Sequence, residues 1–475
     1  MGILTRGGRL LERSVGRLTS ELAHAGRALR YRNYRIFFAG QGISLIGTWM
    51  QMTILGWMVY QITESNARVG QVNFWGQIPI PLLAPLGGVL ADRLDRRRVL
   101  IVTQTLAMCQ AFVLGALFVM GAITVVQITV LAVLLGVING FDMPTRQAFV
   151  FDLIERKEDF GNAIALNSMM FNGARLVGPP IAGLVTGKIL GAVLSPNGAA
   201  GVCFLINAIT YLAVIVSFFF MAPPKSRAAR PRRHLLHELV EGFAYAARFA
   251  PVRSVLLLLS LVSLLGMPYA VLMPYFARDV FGGGAATLGL LYASAGVGSL
   301  VGALYLASRR SVVGLAQRIP VAMSVFGLAL VGFGLSSTLW VSILLLAAAG
   351  CGMMITMAGS NTVIQTVVDD DKRGRVMSAF TIAFMGTMAF GSLVAGTLAQ
   401  VPSVGPHKTV FYAGTLAVLG AAVFTLRLPA LLRAVHPAYA RRGVIVPGTG
   451  NGNALAPGAS LPPPGPPPLA RRRKD

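Results

Sequence analysis

The sequence contains few charged residues. Only 12% of its 475 residues are charged, whereas soluble proteins carry about a quarter. Acidic residues are the scarcest, with 17 Asp and Glu against 41 Lys and Arg. Hydrophobic residues make up 55% of the chain, and its mean hydropathy is +0.68. This composition argues against a soluble protein and indicates a chain that crosses a membrane several times.

Cysteines and nucleotide-binding motifs are also scarce or missing. The three cysteines, Cys109, Cys203 and Cys351, lie inside apolar runs, which argues against a disulfide framework or a CxxC metal site. We therefore expect no metal and no cofactor. The motif GxxxxGK[ST] does not occur, so ATP is not the expected energy source. The basic residues that give the net charge of +24 lie between apolar runs rather than in one patch, so we expect no nucleic acid partner.

Long apolar runs recur along the chain. About 20 residues at 1.5 Å each cross the ~30 Å hydrocarbon core of a bilayer. Runs of this kind occur at about 36–60, 69–91, 99–120, 123–143, 162–187, 200–221, 254–277, 285–307, 319–336, 339–361, 376–400 and 408–429. The sequence thus predicts an all-α membrane protein with twelve transmembrane helices.

The basic residues lie on alternate connections between these runs. One set of connections carries 36 Lys and Arg, the other set carries 4, and Arg175 falls inside a span. Cytoplasmic loops are enriched in Lys and Arg. This distribution predicts an even number of spans with both termini in the cytoplasm.

The longest basic connection divides the chain into two halves. We predict a basic cytoplasmic leader over 1–34, a six-helix half over 35–222, a basic linker over 223–253, a second six-helix half over 254–430, and a disordered Pro-rich tail over 431–475. The linker segment HLLHELVEGFAYAARF is either an amphipathic interfacial helix or a solvated loop. Gly178 and Gly183 recur as Gly391 and Gly396, displaced by 213 residues, which predicts a parallel internal repeat.

The connection between spans two and three reads GVLADRLDRRR. Its Gly88, Asp92, Arg93, Arg96 and Arg97 are spaced as in the loop between helices two and three of the major facilitator superfamily, which they resemble. The resemblance implies a conformational gate at these residues. The chain departs from the family pattern in having Asp95 where the family has Gly. The alternative is that any multi-span protein places basic residues here.

Span five contains the sequence NGARLVGPPIAG. Its Gly173, Gly178, Pro179 and Gly183 resemble the helix-five signature that the superfamily associates with antiporters. Glycines allow two helices to approach closely, and prolines bend a helix. A purely structural kink would have the same sequence.

Three ionisable residues at membrane level are candidates for proton coupling. Arg175 in span five should be paired or functional, because an arginine in a membrane is costly. Asp142 and Arg146 are four residues apart, although Pro144 between them is expected to end or bend the helix. A salt bridge that only fixes the cytoplasmic side is the alternative. The remaining acidic residues of this region are expected to be solvated in a loop: Asp152, Glu155, Glu158 and Asp159.

Polar residues inside the spans are candidates for lining a substrate cavity, and hydrogen bonding between helices is the alternative for each. They are Gln41, Ser44, Thr48, Trp49, Asn167, Asn172, Asn361 and Gln365. Trp49, Tyr269 and Tyr275 could stack on an aromatic or macrocyclic substrate. The scarcity of charge in these spans favours neutral or amphipathic cargo.

Several stretches together resemble one branch of the superfamily. YRNYRIFFAGQGISLIGTWM, GGVLADRLDRRRVL, NGFDMPTRQAF, ARLVGPPIAG and DDDKRGRVMSAF are similar to the enterobactin exporter-like family of bacterial inner-membrane transporters, whose relatives include macrolide exporters. This resemblance implies a monomeric transporter, not an enzyme, that exports a siderophore or another amphipathic small molecule in exchange for protons by alternating access. The loop after span two would latch the state closed to the cytoplasm. Import or lysolipid flipping by the same fold, or a role as a non-transporting anchor or receptor, are the alternatives.

Overall fold

The computed structural model describes residues 26–222, 244, 247–266, 268–309, 314–368 and 370–441. All regular structure in these ranges is helical, without a β-strand. Three regions lie largely outside the described residues: the predicted leader, the predicted linker with its candidate amphipathic helix, and the tail beyond 441.

The described residues form seven helices before the linker and seven after it, and a short 3-10 helix at Arg27–Arg30 leads into the first. Those before the linker are α1 (Arg32–Thr63), α2 (Asn66–Gln77), α3 (Pro79–Arg93), α4 (Arg96–Val119), α5 (Val125–Asp152), α6 (Phe160–Leu184) and α7 (Pro196–Phe220). A 3-10 turn at Lys157–Asp159 precedes α6, and a π-helical turn at Val185–Ile189 extends it.

The seven described helices after the linker are α8 (Ala250–Gly266), α9 (Pro268–Tyr275), α10 (Ala285–Ala307), α11 (Leu315–Leu335), α12 (Leu339–Val367), α13 (Asp370–Leu398) and α14 (Gly405–Arg441). A π-helical turn at Phe276–Val280 follows α9.

Eleven helices of the described chain are long and apolar enough to cross a membrane, when α2 with α3 and α8 with α9 are each taken as one span. The predicted span five, α6, is not among them, although it has 25 residues. Its three asparagines and Arg175 lower its hydropathy. The count of twelve spans and the orientation of the termini therefore remain predictions.

A proline interrupts the second span. Pro79 begins α3, and only Ile78 separates it from the end of α2. Proline lacks the N–H that would continue the hydrogen bonding of the preceding turn. Pro144, in contrast, lies inside α5, which continues to Asp152, so of the two effects predicted for this proline, an end or a bend, the end does not occur.

The last helix extends further than the sequence predicts. The predicted span ends near residue 429 and the predicted tail begins at 431, but α14 continues to Arg441. The first part of the predicted tail is therefore helical.

Two seams join the helices before the linker to those after it. In one seam α6 packs against α10, and in the other α2 packs against α13. We call helices α1 to α7 the first half and helices α8 to α14 the second half.

Equivalent glycines make equivalent contacts in the two halves. A Cβ on Gly178 would lie 2.6 Å from the Cβ of Trp49 on α1, and one on Gly391 would lie 2.3 Å from a backbone oxygen of α8. Gly183 approaches the start of α10 in the same way that Gly396 approaches the start of α2. The displacement of 213 residues therefore corresponds to a repeat in the packing.

Candidate functional site

The two halves are joined at the ends of the helices that lie away from the basic connections. We call these ends the far ends. The opposite ends include Arg93–Arg98, and we call them the basic ends. Tyr60 Oη donates to Asp279 Oδ2 at 2.7 Å, and Arg278 Nη2 donates to Glu64 Oε1 at 2.7 Å. Gln400 Nε2 also donates to Ser65 Oγ at 3.0 Å. These three hydrogen bonds join side chains of different halves at the far ends.

The glycines of the seams distinguish the far ends from the basic ends. A Cβ added at Gly70, Gly183 or Gly396 near the far ends would meet backbone of the other half at 2.4–2.6 Å. A Cβ at Gly88 or Gly173, nearer the basic ends, would meet nothing within 4 Å. The halves are therefore in contact at the far ends, whereas Gly88 and Gly173 have open space beside them. We call this space the central cleft.

The predicted gate is organised around Arg96 at the beginning of α4. Its Nη2 donates to Asp92 at 3.0 Å, its Nη1 to Asp152 at 2.8 Å, and its Nε to the carbonyl of Ala91 at 2.9 Å. Asp152 thus ends α5 in a partly buried ion pair rather than in a solvated loop. These contacts tie α3, α4 and α5 together within the first half.

The other arginines of the predicted gate do not form ion pairs with described carboxylates as Arg96 does. Arg93 is exposed, and neither it nor Arg97 forms an ion pair with a described carboxylate. Asp95 caps α4, because its side chain accepts from the N–H of Arg98. This cap gives a physical reason for Asp where the family pattern has Gly.

The glycine and proline pattern of α6 faces two different helices. Gly178 packs on α1, whereas Gly183 and Pro179 contact α10. Pro179 and Pro180 lie inside α6, which continues to Leu184. Gly173 has open space beside it. The signature therefore allows close approach at both contacts and does not end the helix.

Asp142 is buried between α4 and α5. Its side chain is 2% exposed, and its Oδ1 accepts hydrogen bonds from Thr103 Oγ1 at 2.8 Å and Gln104 Nε2 at 2.7 Å. Arg146 Nη2 lies 2.9 Å from Oδ2 in an ion pair. The direction of this contact does not satisfy hydrogen-bond geometry, so Oδ2 has no hydrogen-bond donor among the described groups. Asp142 is thus held by hydrogen bonds from α4 at one oxygen and by the charge of Arg146 at the other.

Arg175 is separate from this pair. Its guanidinium lies 5.6 Å from the centre of the Trp49 ring and interacts with the Tyr269 hydroxyl of the second half. Among the described residues it has no ion pair with a carboxylate. The three predicted coupling residues therefore form two sites, with Asp142 and Arg146 inside the first half and Arg175 between the halves.

The surroundings of Arg175 offset part of its cost. An arginine at the centre of a membrane helix costs at least ~2.5 to 3.5 kcal/mol. A cation–π contact contributes about 0.5 to 2 kcal/mol, depending on desolvation. The Tyr269 hydroxyl contributes further, and the guanidinium is only half-buried, so it remains accessible to water or to a ligand.

The polar residues predicted on α1 are mostly buried inside the first half. Gln41 is 2% exposed and Ser44 is 1% exposed, so in this conformation neither lines an open cavity. Thr48 Oγ1 donates to the Ser44 carbonyl at 2.9 Å and lies 3.4 Å from the Tyr211 hydroxyl of α7. For these residues the packing alternative fits better than cavity lining.

A chain of amides near them holds three helices together. Asn207 Nδ2 donates to Gln51 Oε1 at 2.7 Å, and Gln51 Nε2 donates to Gln110 Oε1 at 3.2 Å. These side chains lie on α7, α1 and α4, and all are buried. Their hydrogen bonds give them a structural role.

The other cavity candidates remain accessible. Trp49 is half-buried and packs edge-on against Phe171 at a ring-centre distance of 5.7 Å. Asn172 Nδ2 donates to the carbonyl of Ser168. Gln365 Nε2 donates to Asn361 Oδ1 at 2.8 Å on α12. Asn167 is half-buried.

The structure also reveals an ionic cluster that the sequence analysis missed. Asp159, expected to be solvated, has a side chain only 3% exposed. Arg30 pairs with it, and Tyr31 Oη donates to Oδ2 at 2.6 Å. The hydrogen bond from Tyr31 and the charges of Arg30 and Arg27 hold the pKa of Asp159 below its usual range, against the effect of burial. The cluster joins the start of the described chain to the turn before α6.

Comparisons with known proteins identify the family. Residues 24–439 match the family model described as transmembrane secretion effector, within the major facilitator superfamily. The chain belongs to this family of transporters. It is 25% identical over 370 residues to the staphyloferrin A transporter of Staphylococcus aureus, covering 77% of this chain and 89% of the relative. It is 27% identical over 408 residues to the multidrug efflux pump Tap of Mycolicibacterium fortuitum, covering 83% and 93%.

Solved structures support the fold of this family member. A bacterial homologue of the human lysosomal transporter Spinster, described as inward-facing and unoccupied, matches with a TM-score of 0.63 over 85% of this chain and 98% of its own, at 15% identity. A POT family transporter in complex with 5-aminolevulinic acid matches with a TM-score of 0.65 over 84% and 97%, at 14% identity. The family and its relatives are transporters, not enzymes, and siderophore and drug exporters are among the relatives.

Proposed function

We propose that this protein exports a small amphipathic molecule, such as a siderophore or a macrolide-like drug, across the bacterial cytoplasmic membrane in exchange for protons. The basic ends face the cytoplasm, and the protein acts as a monomer held in lipid. The observation that carries the proton coupling is Asp142, a buried carboxylate that is paired with Arg146 and bound by two side chains of α4. The direction of transport is supported by the exporters among the relatives.

Protonation of Asp142 would change the interactions of Arg146. With Asp142 ionised, the ion pair at 2.9 Å holds Arg146 against α5. When Oδ2 takes up a proton, the attraction is lost and Arg146, which is 17% exposed, can move towards solvent. The positions of α4 and α5 then respond to the proton, because Thr103 and Gln104 of α4 bind the same carboxylate.

The contacts of the two seams support alternating access. In the present conformation the far ends are closed and the central cleft opens towards the basic ends. Rocking of the halves would bring Gly88 of α3 towards the other half, where its missing side chain permits close approach. Arg93 and Arg97, which have no ion pair with a described carboxylate, would then bind across the closed basic ends.

Proton release from energised everted vesicles tests this function. A pH-sensitive dye reports dequenching as siderophores, macrolides and lysolipids are added in turn. We expect one class to release protons from vesicles with the unaltered protein and not from vesicles with Asp142→Asn. Asparagine retains the Oδ1 acceptor for Thr103 and Gln104, removes the titratable charge, and places an amide donor where Oδ2 faced Arg146.

Glu155→Gln is the matched control, because Glu155 is exposed near the end of α5. It removes one carboxylate and should leave proton release unchanged. If no compound releases protons through the folded, inserted protein, proton antiport is wrong. Substrate-driven release that persists in Asp142→Asn would remove Asp142 from the coupling mechanism.

A further inference from the structure

Arg175 lies near the middle of its helix without a carboxylate partner. It is half-buried and about midway along the helical segment from Phe160 to Ile189. No described Asp or Glu forms an ion pair with it, and Asp142 is already bound by Arg146. The positive charge is therefore not neutralised within the described part of the molecule.

Neighbouring contacts on α6 show that the Arg175 side chain emerges between the two halves. Leu176, the next residue, packs against Gly296 of α10, and Gly178 packs against Trp49 of α1. Successive residues of a helix are about 100° apart, which places Arg175 on the face between these two contacts. Its interaction with Tyr269 of the second half agrees with this placement.

Aromatic rings from both halves surround the guanidinium. Trp49 lies below it at 5.6 Å, and Phe171 packs edge-on against Trp49. The Tyr292 hydroxyl donates to the carbonyl of Ala270, and Tyr269 interacts with Arg175. The guanidinium therefore lies beside aromatic side chains of both halves.

We propose that Arg175 binds the negatively charged group of the cargo, and that the cargo is an amphipathic organic anion. A carboxylate or similar oxyanion would bind the planar guanidinium by two hydrogen bonds, and an attached aromatic or apolar body would lie against Trp49. This inference rests on the proposed transport function and specifies its substrate class. It replaces the sequence-based expectation of neutral cargo.

Equilibrium binding of a charge series tests the proposal. The full-length protein in phosphatidylcholine nanodiscs is titrated with 2-naphthoate, 2-naphthamide and 2-naphthylmethylammonium, and binding is measured by calorimetry. The three probes share one ring system and differ in charge. We expect the carboxylate to bind at least about tenfold more tightly than the amide, since charge-assisted hydrogen bonds are roughly twice as strong as neutral ones.

Variants of Arg175 test whether its charge causes the preference for naphthoate. Arg175→Gln should reduce the affinity for naphthoate to that for naphthamide, whereas Arg175→Lys should keep part of the preference. Arg68→Gln is the matched control, because Arg68 is exposed at the start of α2 and contacts only Gln71 among described side chains. It should bind all three probes as the unaltered protein does.

Two results would overturn the proposal. The first is equal affinity of the unaltered protein for naphthoate and naphthamide. This result needs no variant, so it overturns the proposal even if Arg175→Gln fails to fold. A preference for the acid that survives in folded Arg175→Gln would do so as well. Because the assay needs no gradient, its outcome is independent of the proton-release experiment.

A lysophosphatidylglycerol arm identifies the source of the oxyanion. Competition with naphthoate that is lost in Arg175→Gln would show that lipid phosphates also occupy the site. Absence of competition, with acid selectivity retained, would restrict the site to soluble acids. Either result retains an oxyanion at Arg175.

Discussion

The contact of Gly183 with α10 gives the most direct test of alternating access. A Cβ at this position would lie 2.4 Å from the Ala285 carbonyl oxygen, whereas ordinary contacts begin at 3.4 Å. In Gly183→Ala, α6 and α10 must therefore separate by about 1 Å at the far ends. Overpacking of this kind costs about 1 to 3 kcal/mol.

This cost falls on the conformation in which the far ends are closed. If the halves rock, the conformation with open far ends avoids the clash, and its population relative to the closed one should rise about 5- to 150-fold. Gly173→Ala is the matched control on the same helix. It makes the same chemical change at a site with nothing within 4 Å. Any general effect of alanine on the helix is therefore subtracted.

Distances between spin labels at the far ends measure the shift. Cysteines introduced at Val193 and Ser403, both exposed and on different halves, carry the labels after the three native cysteines are replaced. We expect a longer distance to gain population in Gly183→Ala and not in Gly173→Ala. An identical distribution in both variants, with both proteins folded, would refute the assignment of this seam as a contact that opens.

Two further predictions concern ionic contacts at opposite ends. Glu64→Gln should shift the same spin-label populations towards open far ends by less than about fivefold, because a partly exposed pair such as Glu64 with Arg278 contributes about 0 to 1 kcal/mol. A shift larger than about fivefold would contradict this account. Asp159→Asn should lower the thermal unfolding temperature at neutral pH. Because the pKa of Asp159 is lowered, its contribution is present above its unfolded value of about 3.9 and is lost as pH falls through the folded value. The difference in unfolding temperature between Asp159→Asn and the unaltered protein should therefore disappear at low pH. If this difference stays the same from neutral pH to below about pH 3, the account is contradicted.

The sequence by itself determined the class of protein and its family. Scarce charge and recurring apolar runs require a bilayer, because each run matches the thickness of the hydrocarbon core. The displacement of 213 residues between Gly178 and Gly391 predicted a repeat that the packing reproduces. These properties could be predicted from the sequence because they depend on composition and on spacing along the chain.

Contacts between helices were decided only by the tertiary structure. In the predicted gate, Gly87 packs against the backbone of Gly140, whereas the adjacent Gly88 faces open space. Asp159 looked like a loop residue and proved to be buried by Arg30 and Tyr31, which are distant in sequence. Arg175 was recognisable as costly, but its position between the halves depends on how α6 is rotated against α1 and α10. That rotation is set by side-chain packing between helices, which no single helix sequence specifies.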